Sequence, residues 1–454
     1  MNCLHVLPEL EALEAEFGDA LVVVGVHSAK FPNERESSSL VEAVARHRVT
    51  HPVVNDADFA IWQRYGVRAW PTLVLVDPQG YVVGGVSGEG HGPLLRQYIA
   101  RLVDEARAAG HLAAGPKPFS LTITPRSGGT ALSRTALRFP GKLLAEPDGN
   151  RLFVSDTGRH RIVVADQSGR LLDEAGGADE PGFEDGPFER ARFHEPQGLA
   201  LVGPHLYVVE TGNHAVRRLH LGTRVVETVA GTGRQQIGPV RPSGPARQTA
   251  LNSPWDCLAA DGWLYLAMAG CHQIWRLALD GTDRLEHFAG TGHERLVDGP
   301  REQAGFNQPS GLATDGRVLY VADSEASAVR AVDLDGAGQV RTLVGEGLFE
   351  FGDVDGTGAE VRLQHVQGLA WAGGVLYLAD TYNHKVKRLD PVTRSVTSWL
   401  GIGAPSRAEG RPGGLAEPQG VSVAGGRLFV ADTNNHRIVS ASLDTGVLEE
   451  IGLR

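Results

Sequence analysis

A thiol at the start of a helix is the first feature of the sequence that could do chemistry. Cys3 stands just ahead of Val6, Leu10, Leu13 and Phe17, which recur at helical spacing and would share one helix face. The unpaired N–H groups and the dipole at a helix N-terminus favour the thiolate form of a cysteine. Cys3 is therefore a candidate for thiol–disulfide chemistry.

Carboxylates and imidazoles recur together in the second part of the chain. Five acidic residues each end a short apolar run: Asp156, Glu210, Asp323, Asp380 and Asp432. Five histidines stand four residues after that position: His160, His214, His272, His384 and His436. A single pair would suggest metal or acid–base chemistry, but a recurring pair is predicted to brace a turn by hydrogen bonds. Met268 replaces the acid in one copy and Ser327 the histidine in another, so the turn is predicted to constrain those copies least.

Two charged residues interrupt a run of equivalent glycines. One position of the repeat carries glycine in four copies: Gly198, Gly311, Gly368 and Gly420. Lys142 and Asp256 take this position in the other two copies and are predicted to approach the mouth of a central channel. The pair could hold a polar ligand or a group of a partner protein, and the alternative is a solvated rim.

No metal site or cofactor is predicted. The stretch "GDVDGTGAE" around Asp353 and Asp355 is similar to a calcium loop but lacks the later bidentate glutamate, so we interpret it as an ordinary loop. Cys257 falls at a core leucine position of its repeat and Cys271 falls in a turn. Neither has metal-ligand spacing, so both are predicted to be structural.

Composition limits the classes of function. The chain has 454 residues, 58 glycines, three cysteines and a net charge of -11, which indicates several domains, mostly β, without a disulfide framework. The acidic balance gives no general attraction to phosphate backbones or anionic lipid, and no apolar run is long enough to span a membrane. We therefore expect no nucleic-acid or membrane partner and a cytoplasmic location.

The first hundred residues alternate between helix and strand. After the Cys3 helix come the strand "ALVVVGVHSA", a helix near 40–47, the strand "HPVVND" and a short helix over 58–65 that ends at Gly66. The stretch "VRAWPTLVLVDPQGYVVGGVSG" predicts a hairpin, and a final helix follows over 93–109. These elements predict an α/β domain over 1–110, followed by a Pro-, Gly- and Ser-rich linker over 111–136.

Residues 137–454 contain six copies of one pattern, exemplified by "EPQGLALVGPHLYVVETGNHAVRRLH" and "EPQGVSVAGGRLFVADTNNHRIVSAS". The copies lie roughly 55 residues apart, and each contains four strand-like runs. Four strands per copy predict a six-bladed propeller, centred on the small-residue "GLA" strands and closed with little or no strand exchange. The segment "FSLTIT" in the linker could add an edge strand or supply the closing one.

The first domain resembles the thioredoxin-like fold, on its order of elements, its helix-leading cysteine and its "WPT" ahead of an apolar strand. The resemblance implies that Pro71 is cis and that Trp70 and Pro71 shape a substrate groove. It also implies that Cys3 matches the second, resolving cysteine of a C-x-x-C motif. The first cysteine would then precede Met1, and the central strand before it is missing from the sequence. We therefore expect an incomplete domain and a longer reading frame.

The six copies resemble NHL repeats, and the whole chain resembles thioredoxin-family NHL-repeat proteins. The resemblance implies a binding scaffold with a thiol redox role, whose protein client or partner lies on the propeller face or in the central channel. The alternative is a thiol–disulfide oxidoreductase that uses the cysteine upstream of Met1. Lyase-like catalysis by the propeller would need channel-facing metal ligands, and RNA binding would need a basic face.

Overall fold

The computed structural model describes residues 2–112, 136–177, 179–237, 244–336, 338–410 and 413–454. The chain divides into two compact units, Met1–Ala131 and Leu132–Arg454. Most of the predicted linker, with the "FSLTIT" segment, lies outside the described residues.

The first unit has the predicted order of helices and strands. Within 2–112 its elements are α1 Asn2–Phe17, β1 Gly25–His27, α2 Ser37–Arg46, β2 Val53–Asn55, α3 Ala60–Arg64, β3 Thr72–Val76, β4 Val82–Ser87 and α4 Gly92–Ala108. Two short 3₁₀ turns cover Gly18–Ala20 and Pro32–Arg35. Gly66 follows α3 with a φ of 64°, the left-handed conformation expected where this helix ends.

The sheet of the first unit is in two pieces. Strand β1 pairs with β2 in parallel, β3 pairs with β4 in antiparallel, and no strand within 2–112 joins the two pairs. The predicted strand "ALVVVGVHSA" over 20–29 is shortened to Gly25–His27, and Val22 and Val24 are 43% and 48% exposed. Few apolar side chains of this unit are fully covered: Val6, Leu13, Ala29, Phe31, Ile99 and Ala106.

The described residues of 136–454 form six four-stranded blades, each with its strands in chain order. The innermost first strands are Leu143–Ala145, Pro196–Val202, Pro254–Ala260, Pro309–Thr314, Val366–Ala372 and Pro418–Ala424. The second strands are Arg151–Asp156, His205–Glu210, Trp263–Met268, Val318–Asp323, Val375–Asp380 and Arg427–Asp432. The third strands are Arg161–Asp166, Ala215–His220, Gln273–Ala278, Ala328–Asp333, Lys385–Asp390 and Arg437–Ser442. The outer fourth strands are Leu171–Ala175, Val225–Ala230, Leu285–Ala289, Gln339–Val344, Ser395–Leu400 and Leu448–Ile451.

The strand order defines two faces of the propeller. Because strands alternate in direction, every first strand begins on the face where the preceding blade's fourth strand ends, which we call the connection face. The turns between second and third strands lie on this face too, and most are short 3₁₀ turns such as Thr157–Arg159 and Thr381–Asn383. The turns between third and fourth strands lie on the opposite face. Two-residue strands on the connections pair with three fourth strands: Gly186–Pro187, Gly299–Pro300 and Gly356–Thr357.

Apolar packing between blades closes the ring. Six buried clusters lie one at each junction, and the cluster between blades 6 and 1 includes Leu143, Leu152, Phe429 and Ile438. All four strands of blade 1 and of blade 6 are consecutive in the chain, so the blades are closed without strand exchange, as predicted. Arg454 adds two main-chain bonds at this junction, donating to Gly169 O and accepting from Leu171 N.

Candidate functional site

Helix α1 sets the position of the exposed Cys3. The helix buries Val6 and Leu13, and its Glu9 carboxylate accepts the N–H groups of Gly90 and Gly92 at 3.1 and 3.0 Å. Glu9 therefore satisfies unpaired donors where α4 begins, as a capping side chain does.

Two histidine–carboxylate contacts also hold α1. The imidazole of His5 bonds Glu89, and that of His51 lies 3.3 Å from Glu14. These partners of α1 were missed by sequence reasoning, because they lie far from the helix along the chain and belong to no motif.

The bond between Trp70 and Pro71 is cis, as the resemblance implied. Trp70 is 37% exposed, and its indole N–H donates to Ser28 O at 2.7 Å. Pro71 O accepts the N–H of Gly88 at 2.9 Å, which ties the start of β3 to the end of β4. An exposed indole therefore stands at the predicted groove, while the groove's substrate role stays a prediction.

A buried aspartate organises the residues around Trp70. Asp56 accepts the N–H groups of Ile61 and Trp62, each at 2.9 Å, and the hydroxyl of Ser28 at 2.7 Å. Burial raises the pKa of Asp56, but these hydrogen bonds outweigh it and lower the pKa below its usual value. Trp62 packs against Trp70 with ring centroids 4.4 Å apart. The signal for Asp56 was its place shortly ahead of a short helix, where a carboxylate can accept the unpaired backbone N–H groups of the first turn.

Lys142 and Asp256 meet across the propeller axis. Lys142 is buried, and its ammonium donates to Asp256 Oδ2 at 3.4 Å, to Ser310 O at 2.8 Å and to Gln367 O. Blades 1, 3, 4 and 5 are thereby joined through one side chain. Asp256 Oδ2 also accepts the N–H of Leu312 at 3.0 Å.

The solvated rim considered for this pair is wrong, because four glycines let the inner strands close around it. A Cβ on Gly198 would lie 2.4 Å from Asp256 Cα, and one on Gly368 would lie 2.1 Å from Gln419 O. Burial lowers the pKa of Lys142 and raises the pKa of Asp256, and each charge opposes the shift of the other. All three ammonium hydrogens have acceptors within the chain, which favours a structural role, and the binding role stays a prediction.

The recurring acids are fully buried and bridge two parts of their own blade. Each accepts a backbone N–H from the residue two before its first strand, or five before it in blade 1: the donors are Arg138, His194, Asn307, Gln364 and Ala416. Each also pairs with a cation on the third strand: Arg161, Arg217, Arg330, Lys387 and Arg437. The acids therefore hold a blade together rather than bonding the histidines.

The recurring histidines make a different bond, from one blade to the next. Each Nδ1 accepts a backbone N–H from the segment leading into the following blade: the donors are Glu195, Ser253, Gln308, Glu417 and Phe139. The prediction that acid and histidine brace one turn was thus wrong in its partners. Ser327 Oγ accepts the N–H of His365 at 3.1 Å, so the junction after blade 4 keeps an equivalent bond, although the turn was predicted to constrain this copy least.

Lysine side chains form ion pairs with Asp353 and Asp355, the two aspartates of the loop that is similar to a calcium loop. Lys387 lies 2.7 Å from Asp353 and 3.2 Å from Asp355, and Asp355 accepts the N–H and hydroxyl of Ser398. Across the described residues, no group of three His, Cys, Asp or Glu side chains could hold a metal ion. None of the helices described is long and apolar enough to cross a membrane.

Comparisons with known proteins agree with both units. A thioredoxin-like family model matches residues 1–82, and an NHL-repeat model matches 415–439. Protein SUPPRESSOR OF QUENCHING 1, chloroplastic, of Arabidopsis thaliana is 43% identical over 470 residues, covering 99% of this chain and 44% of the relative. NHL repeat-containing protein 2 of Bos taurus is 40% identical over 492 residues, covering 98% of this chain and 65% of the relative. The chain belongs to the thioredoxin-like NHL-repeat proteins.

This thioredoxin-like NHL-repeat chain spans about half to two thirds of the length of these relatives. The chain is also similar to Thiol-disulfide oxidoreductase YkuV of Bacillus subtilis, at 22% identity over 103 residues, covering 23% of this chain and 70% of the relative. The cytoplasmic location expected from the sequence stays a prediction.

Proposed function

We propose that this chain is a binding scaffold whose propeller holds a partner protein on its connection face. The thioredoxin-like unit serves as a second interaction module. The observation that carries this proposal is the placement of exposed apolar side chains on five successive connections: Phe183, Ile237, Val297, Val354 and Ile402. Exposed apolar side chains that adjoin one another on a soluble protein mark protein interaction sites, and one such side chain recurs on each of these connections.

The polar groups of the propeller support binding over catalysis. The recurring acids, the histidines and Lys142 are all engaged in contacts within or between blades. The first strands also pack closely around the axis, which favours the connection face over the central channel for a partner.

A comparison of two surface variants tests the scaffold proposal. In the first, Ile237→Asp, Val354→Asp and Ile402→Asp are combined on the connection face. In the control, Val392→Asp changes a 90% exposed side chain on the opposite face. We expect a partner that co-purifies with the full chain to be lost from the first variant and retained by the control. Equal retention by both variants would exclude the connection face.

Thiol exchange at Cys3 is the second candidate function. Its support is the exposed Cys3 at the start of α1 and the similarity to the thiol-disulfide oxidoreductase, whereas Cys257 and Cys271 are buried. The Cys3 thiolate would attack a client disulfide and form a mixed disulfide, and one client sulfur would leave as a thiolate.

The thiol proposal is tested by incubating the chain with a dye-labelled peptide disulfide. We expect one labelled peptide per chain, released by reductant and absent from the Cys3→Ser variant. A Cys271→Ser control should label like the unsubstituted chain, because Cys271 is buried. Equal labelling of the Cys3→Ser variant would exclude a role for Cys3.

A further inference from the structure

Five blade junctions each depend on a histidine that must be uncharged to make its bond. The donor–acceptor distances are 3.1 Å for His160, 3.0 Å for His214, 3.3 Å for His272, 3.0 Å for His384 and 3.1 Å for His436. A backbone N–H can only donate, so each Nδ1 must carry its lone pair and the proton must sit on Nε2. An imidazolium has hydrogens on both nitrogens and cannot accept this bond.

We propose that these five bonds make the propeller pH-sensitive, so that its blade junctions loosen when the histidines gain a proton. The proposal concerns the ring itself and does not depend on the scaffold or thiol function. Protons come from solvent, and the imidazolium then places an N–H against the donor N–H. Each junction would lose its bond while the apolar cluster behind it remains.

The backbone around each bond leaves little freedom to re-form it. The histidines have φ between 49° and 55°, and the donor residues have φ between 45° and 63°. Both partners are thus in the left-handed region, which non-glycine residues adopt only when the surrounding structure holds them there. The backbone of the junction therefore cannot easily shift to bring another acceptor to the same amide once the histidine is protonated.

The junction between blades 4 and 5 is a built-in control. Ser327 occupies the histidine position with the same left-handed backbone, at a φ of 49°, and its hydroxyl accepts the N–H of His365. A hydroxyl does not titrate between pH 5 and 8, and the His365 imidazole faces Glu325 and Gln367 rather than this bond, so this junction should keep its bond on acidification.

Charged groups near the bonds differ from junction to junction. Glu195 and Glu417 are themselves donor residues, so a carboxylate accompanies His160 and His384, and His194 lies edge-on to His160. The other three donor residues, Phe139, Ser253 and Gln308, are uncharged, although Gln308 donates to Glu294. Burial lowers the pKa of His384, and Glu417 opposes that shift. Lowering by burial agrees with a neutral imidazole in the closed ring.

A measurement of the global unfolding free energy against pH would not isolate the effect of protonating these histidines. Burial raises the pKa of Asp156 and of Asp380 to about 6, so these carboxyls bind protons more readily in the native than in the unfolded state and favour folding on acidification. A histidine that is held neutral in the native state disfavours folding on acidification. The two contributions overlap in pH, so the test must report on individual amides.

Residue-resolved hydrogen–deuterium exchange of the full chain supplies such a test. Relative to intrinsic rates, we expect opening at the Phe139, Glu195, Ser253, Gln308 and Glu417 amides to increase about tenfold from pH 7.5 to 5.5. The tenfold factor follows when each histidine has its ordinary pKa of about 6.5 while its junction is open and is neutral while the junction is closed. The His365 amide should change by less than about twofold. If all six amides changed alike, or if none changed, the proposal would be overturned.

Two reciprocal variants strengthen the test. His384→Ser should remove the pH dependence at the Glu417 amide, and Ser327→His should introduce it at the His365 amide. If either variant fails to fold, the comparison among the six amides of the unsubstituted chain still decides the question. Persistence of the pH effect at Glu417 in a folded His384→Ser variant would exclude His384 as its source.

Discussion

Met268 and Trp275 lie in one buried apolar cluster at the two positions of blade 3 where blades 2, 4 and 5 carry an acid and a cation. Both side chains are fully buried, and the indole N–H of Trp275 donates to Gln273 Oε1 at 2.8 Å. The same blade framework therefore accepts either a buried ion pair or an apolar pair. A buried ion pair is costly to desolvate, and an apolar pair of similar volume can replace it without loss of stability.

Blade 4 offers a direct test of this exchange. Arg330→Trp alone would leave the buried Asp323 carboxylate without its cation, and we expect a loss of about 3–5 kcal/mol of unfolding free energy. The double variant Asp323→Met with Arg330→Trp should lose clearly less than the sum of its two single variants. Urea unfolding of the propeller measures all four proteins.

The second partner of Arg330 sets the control for this cycle. Asp298 contacts Arg330 at 2.9 Å but is half exposed, so water can solvate it when the arginine is gone. Asp298→Asn should therefore cost no more than about 1 kcal/mol. Additive single-variant losses in the Asp323 and Arg330 cycle would contradict the exchange of ionic for apolar pairs.

Lys142 is expected to stabilise the ring at the axis. Lys142→Met removes three hydrogen bonds and leaves Asp256 buried without its cation, which should cost about 3–5 kcal/mol at pH 7. Asp256→Asn added to Lys142→Met should recover part of this loss, since no charge then remains buried. Chemical unfolding at fixed pH measures both variants.

The pH dependence of the Lys142→Met variant has a definite sign. Burial already raises the pKa of Asp256, and Lys142 opposes the rise, so removing Lys142 should raise it further. A carboxyl with a raised native pKa favours folding at low pH, and this contribution is lost as pH rises from about 4 toward the native pKa. Lys142→Met should therefore be less destabilised, relative to the unsubstituted chain, at pH 4.5 than at pH 7. A deficit that does not change with pH would show that Asp256 stays ionised in both.

Glycine at the axis is required by close approach of the strands. A Cβ at Gly368 would lie 2.1 Å from Gln419 O, a backbone atom that cannot move without shifting blade 6. Gly368→Ala should destabilise the propeller by about 1–3 kcal/mol or more. Gly452→Ala, where a Cβ meets nothing within 4 Å, is the matched control and should be close to neutral. Equal thermal unfolding midpoints for the two variants would contradict close packing at the axis.

Sequence periodicity was sufficient to predict the propeller and the order of elements in the first unit. Repeated copies report the same local structure six times, so a strand or turn that is ambiguous once becomes clear. The departures from the repeat were harder to interpret. The sequence predicts that the turn constrains the Ser327 copy least, yet the Ser327 hydroxyl accepts the N–H of His365 as the histidines of the other blades accept theirs. The sequence shows which residue differs but not which atom of the next blade it faces.

Contacts across the axis and between distant segments could not be predicted from the sequence for the same reason. Lys142 bonds Ser310 and Gln367, which lie three and four blades away, and Glu9 bonds the turn before α4. No spacing rule links such positions, because they are set by the closure of the ring and the packing of α1. The strand predicted over 20–29 was too long, since among the described residues only Gly25–His27 has a strand beside it.

The first unit should be less stable than the propeller, and Glu9 should contribute to what stability it has. Its sheet is split into two two-stranded pieces, and few of its apolar side chains are fully buried. We expect limited trypsin digestion to remove 2–112 while a fragment from about residue 136 onward persists. Glu9→Ala should accelerate that loss, because the Gly90 and Gly92 N–H groups lose their acceptor at a cost of about 1 kcal/mol. Glu11→Ala, at an exposed position on the same helix, is the control and should digest at the unsubstituted rate. Digestion of both units at one rate would show that they unfold together.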